Sequence, residues 1–201
     1  MISHPHRCIF VQIQKCGGNS IRSALGIERN DQHSYRSAAE LIPIYGREVW
    51  DSYFSFAFVR NPWERLVSWW AMIDQYRDRV ARMNRFQRYV VENATTFEDF
   101  LTKCGDEITE DGRSTSIYRN QIDYLTLDGR GTLLVNFVGR FERLADDFGR
   151  VAARLSLSSP LPHLNRAKHR PYAEYYTPAL KSLVAEKYER DIFRFGYKFG
   201  G

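Results

Sequence analysis

Long apolar runs are missing from this chain of 201 residues. No stretch is long enough to cross a membrane as a helix, and residues 1–7 are polar where a secretory leader would be apolar. The chain is therefore read as cytoplasmic, with residues 1–7 a flexible lead-in that carries His4 and His6. Cysteine is scarce as well. Cys8, Cys16 and Cys104 are odd in number and form neither a CxxC pair nor a Cys/His cluster, which argues against structural zinc and against a disulfide framework. Internal repeats, low-complexity tracts and recognised nucleic-acid-binding modules are absent too.

The composition is that of an ordinary soluble globular protein, 43% hydrophobic and 26% charged, with aromatics at 14%. A net charge of +5 suits an anionic ligand or a polyanionic acceptor. The length predicts one domain over residues 1–201. Buried strands are expected at residues 8–11, 53–59 and 132–138, with helical patterns between them. That alternation predicts an α/β fold with a central, mainly parallel sheet flanked by helices, and ligands beyond the carboxyl ends of the strands. Ser37 and Glu40 form a capping box for a short helix with Leu41, Ile42 and Ile44 on its apolar side and Gly46 at its end. Thr96 and Thr177 open two further helices, the latter running to about Arg194. Arg77, Arg79, Arg82, Arg85 and Arg88 read as a solvated helical face, or as one wall of a groove for an acidic acceptor. Residues 106–116 read as a polar rim loop, 118–127 is ambiguous, and 160–171 is a basic loop.

Residues 9–21, IFVQIQKCGGNSI, join a strand to a helix through Lys15 and the pair Gly17-Gly18. Such a turn aims backbone amides and the positive end of a helix dipole at an anion, and glycine lets the anion approach. The ATP-binding pattern G-x-x-x-x-G-K-[ST] puts its lysine after the glycines. Here Lys15 precedes them, and the second strand ends in Arg60 rather than in an acid that would hold Mg²⁺. At that second junction Asn61 is a good N-cap, Pro62 a good first helical residue, and Trp63, Leu66, Val67 and Trp70 recur at helical spacing.

These segments resemble the sulfotransferases. QIQKCGGNSI is similar to the 5′-phosphosulfate loop of carbohydrate-acting members, which commonly read I-P-K-T-G-G-T-S. FAFVRNPWERLVSWW is similar to their 3′-phosphate segment, F-V-R-N-P-x-x-R-x-x-S, and VGRFERL and LPHLNRAKHRPYAEYYT are similar to the C-terminal half. The resemblance implies a P-loop-NTPase-like three-layer fold, 3′-phosphoadenosine-5′-phosphosulfate (PAPS) as donor, a carbohydrate or other hydroxyl or amine compound as acceptor, and no metal. It assigns Lys15 to the bridging oxygen of the donor. Cys16, Gly17, Gly18, Asn19 and Ser20 become hydrogen-bond donors to the phosphosulfate, and Arg60 and Ser68 ligands of the 3′-phosphate. Gln14 departs from the family proline, and Cys16 and Asn19 from its threonines. Arg140 and, in the late loop, Arg166, Lys168 and Arg170 are further phosphate candidates; Arg65 reads as a salt-bridge residue and Trp63, Trp69 and Trp70 as core.

The acceptor must lose a proton as it attacks sulfur, and histidine suits that task. His33, between the two phosphate segments, is the leading base; His163 and His169 follow, then Glu40. Two other functions compete: an ATP-dependent small-molecule kinase, and a non-catalytic polyanion binder using the arginine-rich stretch.

Overall fold

The computed structural model describes residues 1–28, 32–110, 113–157, 161–162 and 170–201, without the side chain of Arg113. In chain order the elements are β1 (Ile2–Ser3), β2 (Cys8–Val11), α1 (Gly18–Ala24), α2 (Ala38–Tyr45), α3 (Arg47–Ser52), β3 (Phe54–Val59), α4 (Pro62–Asp74), α5 (Arg85–Asn93), α6 (Phe97–Lys103), β4 (Ile108–Glu110), β5 (Arg113–Thr115), β6 (Phe137–Arg140), α7 (Leu144–Leu155), α8 (Pro178–Lys187) and α9 (Glu189–Phe195). Two compact units emerge. One is Met1–Arg60 with the described part of Gln121–Arg166; the other is Asn61–Asn120 with the described part of Ala167–Gly201.

The first unit is the α/β body. Its sheet runs β1-β2-β3-β6. Strands β2, β3 and β6 are parallel and β1 is an antiparallel edge. All four residues of β2 are buried, as a strand covered on both faces requires. Phe10 and Phe56 are register partners and stack at 5.2 Å, and Phe56 meets Phe58 edge-on at 6.3 Å. Helices of the same unit flank the sheet, α3 beside β3 and α7 beside β6. Gly139 lies opposite Phe58, whose Cε1 would be 2.4 Å from a Cβ at that position. Only glycine leaves room for the ring there.

Several expectations change. Residues 1–7 contain β1, which pairs with β2; Phe10 N–H donates to Met1 O at 2.8 Å, and Met1 is buried in the core. Residues 132–138 are apolar enough for a strand, yet β6 begins only at Phe137. Asn136 Oδ1 accepts from Ser55 N–H at 2.8 Å and so takes the place of a ladder carbonyl just before the strand starts. Ile44 is 43% exposed because α2 is short and the chain turns away at Gly46, with φ of 87°.

The second unit is mostly helical. Asn61 caps α4 through Trp63 N–H, and Pro62 is its first residue. Trp63, Trp69 and Trp70 are buried, Trp69 against Phe86 and Trp70 against Phe97 and Phe100. The arginine-rich stretch is not one helix: α4 stops at Asp74, a 3-10 turn covers Arg77–Arg82, and Asn84 caps α5 afresh. Residues 106–116 contain the β4–β5 hairpin rather than a plain loop. The final helix is two, α8 and α9, broken at fully buried Tyr188, whose hydroxyl donates to Ile117 O and accepts from Arg65 Nη1. Among the described residues no helix is long and apolar enough to cross a membrane.

Candidate functional site

Within the first unit, three parallel strands end on one edge. β2 leads to the Lys15 loop, β3 to Arg60, and β6 ends at Arg140, the register partner of Val59. Parallel α/β sheets take ligands at this edge.

The loop from Gln12 to Gly17 is held tightly. Ile13 and Cys16 are each 1% exposed and anchor it from below. Lys15 and Gly17 both adopt left-handed backbone, with φ of 68° and 82°. For lysine this conformation is strained, and strain of this kind is maintained only where the surroundings enforce it. A Cβ on Gly17 would sit tightly against Leu144, with Cδ2 3.0 Å away, and a Cβ on Gly18 would meet Gln12 Nε2 at 2.3 Å. Both glycines are therefore fixed by conformation or packing. Ser20 N–H makes the first intrahelical bond, to Gly17 O at 3.1 Å. The amides of Gly18 and Asn19 precede it and belong to the helix end that an anion satisfies.

The loop's side chains turn inward more than the resemblance implies. Cys16 Sγ donates to Gln121 Oε1 at 3.3 Å, and Asn19 Oδ1 accepts from Arg22 Nη2 at 3.2 Å. Ser20 is buried at the foot of α1. Lys15 beside them is half-buried. Gln14, in place of a proline, is tied down by Tyr124, whose hydroxyl donates to Gln14 Oε1 at 2.6 Å.

Arg60 is 5% exposed. Its Nη1 donates to Lys15 O at 3.1 Å and its guanidinium carbon lies 3.9 Å from the centroid of the Phe141 ring. Stacking on an aromatic face orients a planar cation without consuming its donors. The Arg60 peptide is gripped by Gln121, which accepts from its N–H and donates to its carbonyl, each at 2.8 Å. Arg140 is half-buried, and its N–H donates to Asp147 Oδ2 at 2.8 Å. Lys15, Cys16, Gly17 and Arg60 are thus brought together, with Arg140 one strand over.

The remaining candidates take part in other contacts. His33 is in the turn before α2, its ring edge-on to Tyr45 at 5.6 Å and its Nε2 3.3 Å from Gln32 Nε2. Glu40 is engaged in capping, accepting from Ser37 N–H at 2.7 Å and from Ser37 Oγ at 2.8 Å. Ser68 is buried on α4 of the second unit, and Arg65 there is fully buried, donating to Tyr188 Oη at 2.9 Å. Arg170 pairs with Glu174 at 3.5 Å. His4 Nδ1 is 3.0 Å from Tyr53 Oη. His163, Arg166, Lys168 and His169 lie outside the described residues.

Sequence reasoning missed Gln121, Tyr124 and Phe141. Gln121 sits among the polar residues Arg119, Asn120 and Asp123, so no local pattern marks it as buried.

Fold and site together define an α/β protein that presents a lysine-bearing, amide-rich loop and a stacked arginine at the carboxyl edge of a parallel sheet, the equipment for an anionic group. A model of the sulfotransferase family matches residues 1–198, and the chain belongs to that family. No curated protein and no solved structure matches it significantly.

Proposed function

We propose that this protein transfers a sulfuryl group from PAPS to a hydroxyl or amine of an acceptor, a carbohydrate in the first instance. Family membership supports sulfuryl transfer in general. The observation that carries the donor assignment is the strained Lys15 loop joined to Arg60, whose Nη1 donates to Lys15 O at 3.1 Å. A glycine loop at a strand-to-helix junction fits a phosphosulfate, and a guanidinium at the end of the neighbouring strand fits the second phosphate that a 3′-phosphorylated nucleotide has and ATP lacks. The strand, loop and helix of residues 8–24 support a P-loop-like, three-layer reading of the fold.

The transfer is in line. The acceptor oxygen attacks sulfur and passes its proton to His33, while the bond from sulfur to the 5′-phosphate oxygen breaks. Lys15 and the backbone and side-chain donors of Cys16, Gly17, Gly18, Asn19 and Ser20 stabilise the charge that collects on the departing 3′-phosphoadenosine-5′-phosphate (PAP), so positioning and electrostatics supply most of the acceleration. Arg60 and Arg140 take the 3′-phosphate. Ser68 and Lys168 enter as further ligands through the resemblance of their segments alone. No metal has a part in this scheme.

Thermal unfolding tests the donor. A ligand at a hundred times its dissociation constant adds about 2.7 kcal/mol, or roughly 5–10 °C in Tm for a chain of this size. PAP is expected to give such a shift, with ADP and AMP giving much less. Equal shifts for the three nucleotides would sink the donor assignment in favour of a kinase.

A further inference from the structure

Gln121 opens a short 3-10 turn, Gln121–Tyr124, and is fully buried. Its carboxamide covers both backbone polar groups of Arg60: Nε2 donates to Arg60 O and Oε1 accepts from Arg60 N–H, each at 2.8 Å. The same Oε1 accepts from Cys16 Sγ at 3.3 Å. Arg60 in turn donates from Nη1 to Lys15 O at 3.1 Å. Cys16, Gln121, Arg60 and Lys15 therefore close a ring, completed by the peptide between Lys15 and Cys16. Three residues along, Tyr124 grips Gln14 on the other side of Lys15. A single turn thus holds the anion loop at two points and the end of β3 at a third.

The chemistry of this arrangement is specific. An uncharged carboxamide offers one donor and one acceptor group in a plane, and so can pair with a peptide N–H and C=O at once. Satisfied in a buried setting, such a network fixes backbone position closely; broken, it leaves buried polar groups unpaired. Here it fixes the point from which the Arg60 guanidinium projects and restrains Lys15 at φ of 68°, a conformation lysine does not favour by itself.

We infer that Gln121 is a positioning residue, which sets the Lys15 loop and Arg60 in register for a doubly anionic nucleotide although it lies outside both phosphate segments. The inference rests on the PAPS reading and adds to it the device that pre-organises the two anion contacts.

The test compares the unsubstituted chain with Gln121→Met and Gln121→Glu. PAP affinity is measured across pH, and labelling of Cys8, Cys16 and Cys104 by a thiol reagent is mapped by mass spectrometry. All three cysteines are buried. Gln121→Met is expected to bind PAP about tenfold more weakly. Its Cys16 becomes labelled while Cys8 and Cys104 stay protected, which separates local loosening of the loop from global unfolding. Gln121→Glu keeps the acceptor but loses the donor when ionised, and regains both when its carboxyl is protonated. Burial raises the pKa of such a carboxyl. The affinity of this variant, relative to the unsubstituted chain, therefore recovers as pH falls from about 8 to about 6, a rescue that a merely structural residue would not give. If Gln121→Met fails to fold, the pH series of Gln121→Glu decides alone. PAP affinity unchanged in Gln121→Met, or a pH-independent ratio in Gln121→Glu, overturns this inference while leaving the donor assignment intact. No PAP binding by the unsubstituted chain overturns both.

Discussion

Lys15 combines the side chain proposed for the leaving oxygen with a left-handed backbone, φ of 68°. A conformation of that kind costs on the order of 1–3 kcal/mol, and its persistence points to a loop shaped for a ligand. Replacing Lys15 by alanine is expected to lower kcat by about 10²–10³-fold, the range found when one donor to a developing charge is removed. Turnover close to that of the unsubstituted chain would exclude Lys15 from the leaving oxygen. His33 is tested by pH. A general base works only when unprotonated, so a rate that depends on one falls on the acid side. His33→Ala should be slow throughout and lack that limb in its kcat profile; a profile of unchanged shape moves the role elsewhere. Lys15 and Arg60 were legible because each follows a strong apolar strand. Gln121 was not, because its partner Arg60 is 61 positions away in the chain, beyond the reach of any local pattern.

Elements followed local chemistry where their signals were local. Ser37, Asn61, Thr96 and Thr177 each cap the helix expected of them, since a cap needs only the next two or three residues. Strand β6 did not, because Asn136 decides its start by bonding Ser55 across the sheet. Its Gly139 gives a test of packing at this scale. The Phe58 ring fills the space of a Cβ, with Cε1 at 2.4 Å, so Gly139→Ala forces the ring or the strand to move. Overpacking of this kind costs about 1–3 kcal/mol, which corresponds to a Tm lower by roughly 2–10 °C in a chain of this length. A calorimetric scan checks it, and an unchanged Tm would mean that the ring swings aside freely.

At the scale of the whole molecule, half-buried tyrosines are expected to weaken stability at alkaline pH. Burial pushes the Tyr118 and Tyr176 hydroxyls above their usual range, and Tyr188, Tyr118 and Tyr172 add to the effect at Tyr176. In the unfolded chain these groups ionise near pH 10. Below that both states hold the proton and the stabilisation is complete. As pH rises further, the unfolded tyrosines ionise first and stability drains away. The Tm should therefore drop steeply above about pH 10, with the late part of the tyrosine absorbance change coinciding with unfolding; a native titration of every tyrosine near the ordinary value would contradict this. At this scale the sequence by itself determined the class of fold and the order of the two segments proposed to bind the donor. Strand patterning, caps and the position of Lys15 ahead of Gly17 and Gly18 depend on neighbours in the chain. Tertiary structure alone decided that Met1 is buried, that residues 106–116 carry a hairpin, and that Gln121 and Phe141 frame Arg60. Those outcomes depend on which distant surfaces meet, and a hydrogen bond or a stacked ring leaves no periodic trace in the residues that make it.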